Sequence, residues 1–347
     1  MQTVLANNRQ VRRRIHIRPN LTIMKGTIAD LKFVRYGDII VPIVMGKERR
    51  KVINRIVPQG LNQYVNYLLA VSNNANSQSN SISGWNSSPS NVIQLLNNGS
   101  VVQTLNATVL PALNGSTVIW IFIVNDLSSA SYTANQLNLF ASVNYVTSIS
   151  GGNIQYSPAF NLATATANIV KQSGEVISFV WEIQLNLGSS ALTDFIYGIL
   201  YSIPTISTSC SGLGQTSNVT LGTFGGVYNF SPNLPLSTLH GYAEPYYFYS
   251  ITLQFLGGSS SGNISSITTS YDGTNTYLVI SAPISLSSQE TATSVVVNVE
   301  QTGGYGVGFC INGQTTSSGS VIQVPYSATV PSGTINITVT IEFSPAT

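Results

Sequence analysis

The sequence predicts an all-β protein in which tandem antiparallel β-sandwich domains follow a basic N-terminal arm. Three observations indicate this architecture. Segments rich in β-branched and aromatic residues alternate with clusters of Gly, Pro, Ser and Asn, a pattern typical of short strands joined by turns. No long segment has the apolar period of 3.6 residues that marks a helix. Of the 14 Lys and Arg residues, 13 lie at or before Arg55.

The arm is assigned to residues 1–60, and its most basic stretch is RRRIHIRP at 12–19. Because successive side chains of a strand point to opposite faces, an extended chain places alternate residues of this stretch on one face. That face would carry Arg12, Arg14, His16 and Arg18. Further along, KERRKVINR spaces Lys47, Lys51 and Arg55 by four residues, which fits either one helical turn with a basic stripe or a charged loop.

The rest of the chain is divided near residues 200–215 into two sandwiches, 61–205 and 206–347. A Ser/Asn-rich stretch at 73–90 predicts a long exposed loop or hinge. The clearest strands are predicted at 117–124, 139–149, 176–185, 246–255, 276–283, 294–300 and 334–343.

Two pairs of segments resemble each other within the chain. NGSVVQTLNATV at 98–109 resembles SGSVIQVPYSATV at 318–330, and NIQYSPAFNLA at 153–163 resembles VYNFSPNLPLS at 227–237. If the first pair is labelled a and a′ and the second pair b and b′, the segments occur in the order a, b, b′, a′. A simple tandem duplication would give a, b, a′, b′. We therefore expect that one sheet motif is reused, without a demonstrated domain repeat.

Charge is scarce and asymmetric. Charged residues make up 7% of the chain, against about 25% in an ordinary soluble protein. Residues 1–60 carry 13 basic and 3 acidic groups, a net of +10, while 61–347 carry Lys171 and 9 acidic groups, a net of −8. This split predicts an arm that contacts phosphate or another anionic surface; a solvated charge run is the alternative. The anion-contacting candidates are Arg9, Arg12, Arg13, Arg14, Arg18, Lys47, Arg49, Arg50, Lys51 and Arg55.

Candidate catalytic groups are few. His240 and Glu244 would be a base and its orienting partner, but a loop histidine with an acidic neighbour is commoner without catalysis. Asp272, in YDGTNTY, predicts a hairpin turn more strongly than a calcium ligand, because calcium sites need several oxygen ligands. No Cys/His spacing fits zinc. We expect no enzyme activity, no catalytic residues, no metal and no cofactor.

The two cysteines, Cys210 and Cys310, would close a loop of about 100 residues as a disulfide, and two buried free thiols are the alternative. No run approaches the roughly 18 apolar residues that cross a bilayer. The N-terminal MQTVLANNRQ lacks the apolar core of a secretory signal. We therefore expect synthesis in the cytoplasm and no transmembrane helix.

A basic N-terminal segment ahead of a β-rich body resembles the capsid proteins of many icosahedral viruses. The Ser, Asn, Thr and Val texture with few charges also resembles capsid and turret structural proteins of icosahedral viruses that infect the archaeal Sulfolobales, organisms of hot acid. Carboxylates are largely neutral below about pH 4, so a surface with few charges suits that exterior. The resemblance covers the layout of the whole chain and rests on no diagnostic motif. It implies jelly-roll-like domains in a self-assembling virion protein, either a vertex or turret component or a shell component.

In that setting the arm would face the particle interior and contact packaged nucleic acid, an internal anionic membrane or other capsid proteins. Two other classes remain open. An archaeal cell-surface S-layer, filament or adhesin component would need a signal peptide upstream of Met1. A carbohydrate-binding or carbohydrate-active β-sandwich would bind glycans, or would hydrolyse them in a way that depends on Glu182 or Glu244.

Overall fold

The structure is a computed structural model that describes residues 8–36, 39–46, 48–73, 91–142, 144–146, 154–156, 158–188, 205–206, 220–223, 226–229, 246–301, 309–311, 314–316 and 318–346. The chain begins with β1 (Asn8–Thr27), a 3₁₀ turn (Ile28–Asp30), β2 (Leu31–Tyr36), β3 (Ile39–Val44), β4 (Glu48–Val52), β5 (Asn54–Ile56) and α1 (Pro58–Asn73). Next come β6 (Val92–Asn97), β7 (Ser100–Asn106), β8 (Thr108–Asn114), β9 (Thr117–Asp126), β10 (Tyr132–Ala141), β11 (Asn144–Val146), β12 (Ile154–Tyr156), β13 (Phe160–Lys171) and β14 (Glu175–Asn186).

The second half contains β15 (Thr205–Ile206), β16 (Thr220–Thr223), β17 (Gly226–Asn229), β18 (Tyr246–Phe255), β19 (Gly258–Asn263), β20 (Ser266–Tyr271), β21 (Thr276–Leu286), β22 (Glu290–Gln301), β23 (Phe309–Ile311), β24 (Gln314–Thr316), β25 (Ser318–Val330) and β26 (Gly333–Pro345). The predicted all-β class is therefore confirmed. Six of the seven strongest strand predictions fall within β9, β14, β18, β21, β22 and β26, and the seventh, 139–149, overlaps β10 and β11. The predicted loop at 73–90 lies outside the described residues apart from its first residue.

Three sheets form the body. The largest has eight strands in the order β20-β21-β26-β1-β14-β9-β8, with β4 paired to a further part of β1. A five-stranded sheet, β5-β13-β10-β6-β7, and a four-stranded sheet, β19-β18-β22-β25, make up the rest of the body. Small hairpins and a short three-stranded sheet complete the described strands.

The strand order repeats on the two sides of β1. The strands β14, β9 and β8 lead outward on one side, and β26, β21 and β20 lead outward on the other. The second layer repeats as well, because β13-β10-β6-β7 has the same order as β25-β22-β18-β19. β1 is antiparallel to β14 and parallel to β26, so the two flanking strands run in opposite directions. This arrangement is that of a pseudo-twofold axis perpendicular to the sheet at β1.

The repeat in the fold differs from the echo in the sequence. The segments 98–109 and 318–330 correspond mainly to β7 and β25, which occupy different positions in the two repeats. The topological repeats, 92–186 and 246–345, are in simple tandem order and lie within the predicted segments 61–205 and 206–347. Both repeats contribute strands to one sheet, and the predicted boundaries themselves stay predictions.

The sequence analysis predicted jelly-roll-like domains, but the connections within each repeat differ from those of a jelly roll. A jelly roll is built from two Greek keys, and its chain passes repeatedly from one layer to the other. Here consecutive strands pair with each other inside a layer, as in β6–β7, β8–β9 and β20–β21. Each repeat contributes strands to the shared eight-stranded sheet and to a second, smaller sheet, with a hairpin-based connectivity.

The first strand corrects the prediction of a separate basic arm. β1 pairs with β14 along one edge, and with β26 and then β4 along the other. Its side chains Val11, Ile15, Ile17, Leu21 and Ile23 are buried. Because β1 satisfies backbone hydrogen bonds on both edges and supplies apolar side chains to the core, it is an interior strand of the body.

One cluster of buried apolar side chains runs through both repeats. The first repeat contributes large aromatic residues to it, among them Trp120, Phe122 and Trp181, whereas the second contributes mainly aliphatic residues of β21 and β26. Trp181 donates its indole N–H to Asn54 Oδ1 at 2.9 Å, which satisfies the polar atom of a fully buried ring.

The helix α1 was not predicted. Its buried residues Leu61, Tyr64 and Val65 follow the spacing of a helix face, but this pattern covers little more than one turn and was too short to stand out. α1 contacts β13 of the first repeat and β18, β20 and β21 of the second. The ring of Tyr64 lies edge-on to that of Trp120, with centroids 5.1 Å apart. Gly60 lets the first turn approach β13 closely, because an added Cβ would lie 1.9 Å from the carbonyl oxygen of Asn161.

Candidate anion-binding face

A row of basic side chains occupies the outer face of the eight-stranded sheet, opposite the face that meets the core. From residue 11 to residue 23, the odd-numbered residues of β1 point to the core and the even-numbered ones point outward. β4 continues this face, because Lys51 lies opposite Thr22 and Arg49 lies opposite Met24. The prediction that alternate residues of RRRIHIRP share one face is confirmed. We call Arg12, Arg14, His16, Arg18, Arg49 and Lys51 the cationic row.

The segment around β4 was predicted to be a helical turn or a charged loop, and this was wrong. β26 pairs with β1 as far as Ile17, and β4 then takes the same edge from Leu21 to Lys25. The backbone N–H and C=O groups on that edge of β1 need hydrogen-bond partners. Pairing with β4 supplies them, and this pairing does not depend on the four-residue spacing of the basic residues.

A buried carboxylate holds the first two arginines of the row. Glu342 lies opposite Arg14 in the parallel pair of β1 and β26, and 3% of its side chain is exposed. Its Oε1 is 2.8 Å from Nε of Arg14, and its Oε2 is 3.9 Å from Nη1 of Arg12. Ser344 donates to Oε1 at 2.9 Å. Because the side chains of Arg12 and Arg14 remain 57% and 56% exposed, their outer N–H groups can still bind an anion.

Arg12 also packs on an aromatic ring. Its guanidinium carbon lies 5.7 Å from the ring centroid of Tyr277, within the range of a cation–π contact. The Tyr277 hydroxyl donates to Asp272 Oδ2 at 2.5 Å, and this hydrogen bond raises the pKa of Tyr277 and lowers the pKa of Asp272.

Asp272 is the first residue of the β20–β21 turn, as the sequence predicted. Its Oδ1 accepts the backbone N–H groups of Thr274 and Asn275 at 2.8 and 2.7 Å, and Gly273 adopts a φ of +95°. Both carboxylate oxygens are used within the turn and by Tyr277, which favours a structural role over calcium binding.

The sheet places a second glutamate on the other side of β1. Glu182 of β14 lies opposite Asn20, and Glu342 lies opposite Arg14, so the two acids are three residues on either side of Ile17. Gln184 donates to Glu182 at 3.0 Å, as Ser344 donates to Glu342. The pseudo-twofold relation therefore extends to these carboxylates, but only Glu342 forms an ion pair in the described structure.

The remaining members of the row are uncompensated. Within the described part of the chain, Arg18, Arg49 and Lys51 form no ion pair and are exposed. Their neighbours on this face include the neutral polar residues Asn20 and Gln184.

Two of the predicted anion-contacting arginines are structural. Arg13 points inward and donates to the backbone oxygens of Leu187 and Gln323, so it links the end of β14 to β25 of the other repeat. Burial lowers the pKa of Arg13. Arg50 lies on the core side of β4 and donates to the Asn168 carbonyl oxygen. Neither guanidinium belongs to the cationic row.

The other three predicted candidates lie apart from the row. Arg9 is exposed near the start of β1, and Arg55 is exposed on β5, opposite Thr164 of the five-stranded sheet. Lys47 lies outside the described residues.

Lys171 is the one Lys or Arg beyond Arg55, and it is buried. Its Nζ lies 3.8 Å from Asp126 Oδ1, and neither side chain has exposed surface. It also donates to the carbonyl oxygens of Ser128 and Ala130. Tyr132 donates to Asp126 Oδ2 at 2.8 Å, and burial, followed by this contact, raises the pKa of Tyr132. Every exposed Lys and Arg side chain in the described structure therefore belongs to the first 55 residues.

The described residues contain no group of three or more His, Cys, Asp or Glu side chains that could hold a metal ion. Of the two histidines, His16 belongs to the cationic row. His240, Glu244 and Cys210 lie outside the described residues, as does the side chain of Cys310, so the expected disulfide and the His–Glu pair stay predictions. α1, the longest helix described, falls short of the length and apolar character needed to cross a bilayer.

Sequence reasoning missed Glu342 and Tyr277. Alternation along TINITVTIEF places Glu342 on the outer face of its strand. Its position beside Arg14 depends on the parallel pairing of the first and last strands, whose separation in sequence leaves no local signal.

Comparison of the chain with protein-family models, curated proteins and solved structures found no match.

Proposed function

We propose that the protein is a structural component of a virus particle, built into the shell or its vertices, with the cationic row facing the interior. The observation that carries this proposal is the polarity of its surface charge. Every exposed Lys and Arg side chain in the described residues lies in the first 55 positions, and the one later Lys or Arg, Lys171, is buried in an ion pair. Such a distribution suits a protein that meets an anionic interior on one side and the medium on the other.

The rest of the surface supports the same orientation. Apart from the cationic row, the described strands of the eight-stranded sheet expose mainly hydroxyl and amide side chains, among them Thr268, Ser270 and Asn186. Neutral polar groups keep their hydration when carboxylates become protonated in acid. A surface of this kind therefore keeps its properties over a wide range of external pH.

The two repeats give a wide, stiff body. They share the central strand β1 and one apolar core, so force applied to one repeat is transmitted to the other through paired backbone and packed side chains. Asp272 caps a turn and Glu342 pairs with two arginines, so both carboxylates have structural partners, which fits a scaffolding role.

Imaging combined with lysine labelling tests the proposal. Antibodies to this chain should label uniform particles in negative-stain images of the native source. Lys51 of the cationic row is exposed, so a lysine-acylating reagent too large to enter intact particles should modify it only after the particles are disrupted. Labelling of a cell-envelope lattice by the antibodies would overturn the proposal in favour of a surface-layer protein, and equal acylation of Lys51 in intact and disrupted particles would overturn the inward orientation.

A further inference from the structure

We infer that the cationic row binds the phosphate backbone of a nucleic-acid duplex without reading its sequence. This inference deepens the proposed function and rests on it for the identity of the interior ligand. It depends on the geometry of the row, on three of its members having no ion-pair partner among the described residues, and on the chemistry of its neighbours.

The row is long, regular and rigid. Alternate residues of a strand lie about 6.7 Å apart, so the charges from Arg12 to Arg18 span about 20 Å. Arg49, beside Met24 on the neighbouring strand, extends the row to about 40 Å. β1 is paired on both edges, which fixes the backbone that carries these charges. A line of charges of this length matches a polyanion better than a small anion.

The charge of the row is available to a ligand. Glu342 offsets one of the two charges on Arg12 and Arg14 and leaves both side chains more than half exposed. Arg18, Arg49 and Lys51 have no acidic partner among the described residues. The row therefore carries five permanent positive charges against one directly paired carboxylate, with Glu182 bound to Gln184 at its flank.

The neighbours of the row favour a duplex over a single strand. Proteins that bind single strands combine basic grooves with aromatic side chains on which bases stack. The aromatic side chain in contact with the described row is Tyr277, and Arg12 already covers its ring. A duplex presents phosphates on its outside and needs no stacking surface.

The same neighbours disfavour a membrane. Peripheral segments that lie on bilayers combine basic residues with apolar side chains that enter the acyl region. The residues opposite Arg12, His16 and Arg18 are Thr340, Ser344, Asn186 and Gln184, all of which are polar. Thr340 and Ser344 are buried, but phosphate oxygens can accept hydrogen bonds from the exposed amide of Asn186 as well as from the arginines.

Salt-dependent binding of the full chain to a DNA duplex of mixed sequence tests the inference. The logarithm of affinity falls with the logarithm of salt by about 0.9 for each phosphate neutralised. A slope of about −4, or about a 250-fold loss between 50 and 200 mM salt, is therefore expected. Changing the duplex sequence should leave the affinity the same.

A matched pair of variants locates the site. Arg18→Gln and Arg55→Gln each remove one exposed arginine, but only Arg18 lies in the row. Arg18→Gln should reduce the slope by about 0.9, and Arg55→Gln should leave it unchanged. The triple variant Arg18→Gln/Arg49→Gln/Lys51→Gln should lose only about sixfold over the same salt range. Urea unfolding midpoints equal to that of the wild type would show that these variants are folded.

Three results would overturn the inference: equal effects of Arg18→Gln and Arg55→Gln, tighter binding to a single-stranded oligonucleotide of equal length, or tighter binding to anionic phospholipid vesicles. Each leaves the proposed function intact if the protein is still found in particles. Conversely, the protein could bind a duplex through the row and yet be absent from particles. That result would reject the proposed function and leave the duplex-binding inference intact.

Discussion

Lys171 and Asp126 form an ion pair that is completely removed from solvent, with 3.8 Å between Nζ and Oδ1. Asp126 also accepts hydrogen bonds from Tyr132 and from the backbone and hydroxyl of Ser128. The pair links the end of β13 to the end of β9 and to the loop that follows β9. The last lysine of the chain therefore has a structural role in the interior.

Replacing Lys171 with Met should destabilise the protein strongly. The substitution leaves the Asp126 carboxylate buried without its counter-ion, and loss of one partner of a buried pair costs about 3–5 kcal/mol. The double variant Lys171→Met/Asp126→Asn should recover part of that loss, because no buried charge remains. Urea unfolding measures both values, and a double variant no more stable than the single one would contradict the account.

Ile15→Ala should cost about 2–5 kcal/mol of the free energy of unfolding, because a large buried side chain is lost from the core. Ile15 is 1% exposed, whereas Ile53, between β4 and β5, is 95% exposed. Ile53→Ala is therefore the matched control and should be almost neutral. If both variants unfolded at the same urea concentration as the wild type, β1 would behave as the dispensable arm suggested by the sequence.

Ile15 and its arginine neighbours show that the sequence predicts the direction of each side chain but not the strands that it packs against. Alternation within RRRIHIRP correctly placed Arg12, Arg14 and Arg18 on one face and the isoleucines on the other, because side-chain direction in a strand is a local property. Whether the apolar face meets a core depends on distant strands. Pairing of Ile15 with Phe343 joins the two ends of the chain, and neither segment specifies that partner.

The same limit applies to the candidate site. The local sequence gave four members of the cationic row, but it placed Arg13 among the anion-contacting residues as well. The structure shows Arg13 turned inward to the carbonyl oxygens of Leu187 and Gln323. Alternation puts Arg13 on the same face as the isoleucines, but it could not show what Arg13 contacts. The carbonyl oxygens that it binds belong to a junction between the repeats, which forms only when both repeats are folded.

Gly60→Ala should destabilise the packing of α1 on β13. The new methyl carbon would lie 1.9 Å from the Asn161 carbonyl oxygen, so the helix or the strand must move, and overpacking of this kind costs about 1–3 kcal/mol. Gly257→Ala, in an exposed turn with no atom within 4 Å of the added carbon, is the control. Equal unfolding midpoints for the two variants would rule out the tight contact.

The Lys25–Glu175 ion pair should make a small, acid-sensitive contribution to stability. Lys25 Nζ lies 2.9 Å from Glu175 Oε2, and this bond, followed by the Gln172 N–H, lowers the pKa of Glu175. A lowered carboxylate pKa stabilises the fold above the unfolded value of about 4.3, and the contribution is lost as pH falls through the folded value.

Lys25→Met tests this dependence. At pH 7 the variant should be less stable than the wild type, and the part of the difference due to the pair should be under about 1 kcal/mol. That part should shrink as the pH falls below the unfolded value of about 4.3. The bond from Lys25 to the Val170 carbonyl oxygen would leave a pH-independent remainder. A difference that grew in acid would contradict the assignment.

Glu342→Gln and Glu182→Gln compare the two glutamates that the pseudo-twofold relation places on either side of β1. Glu342 accepts hydrogen bonds from Arg14 and Ser344 and is nearly buried, whereas Glu182 is only partly buried and is bonded by Gln184. Removing the Glu342 charge leaves Arg12 and Arg14 to repel each other beside a neutral amide. We expect a loss of about 1–3 kcal/mol for Glu342→Gln and within about 0.5 kcal/mol of zero for Glu182→Gln.

The salt dependence of the two variants separates charge repulsion from lost hydrogen bonds. The Arg12 and Arg14 side chains remain largely in water, so their repulsion is screened by added salt. The destabilisation of Glu342→Gln should therefore shrink between 50 mM and 1 M sodium chloride, while the small effect of Glu182→Gln should stay constant. Urea unfolding at the two salt concentrations gives both values. A loss for Glu342→Gln that is independent of salt would assign it to the broken hydrogen bonds of Glu342 rather than to the arginine pair.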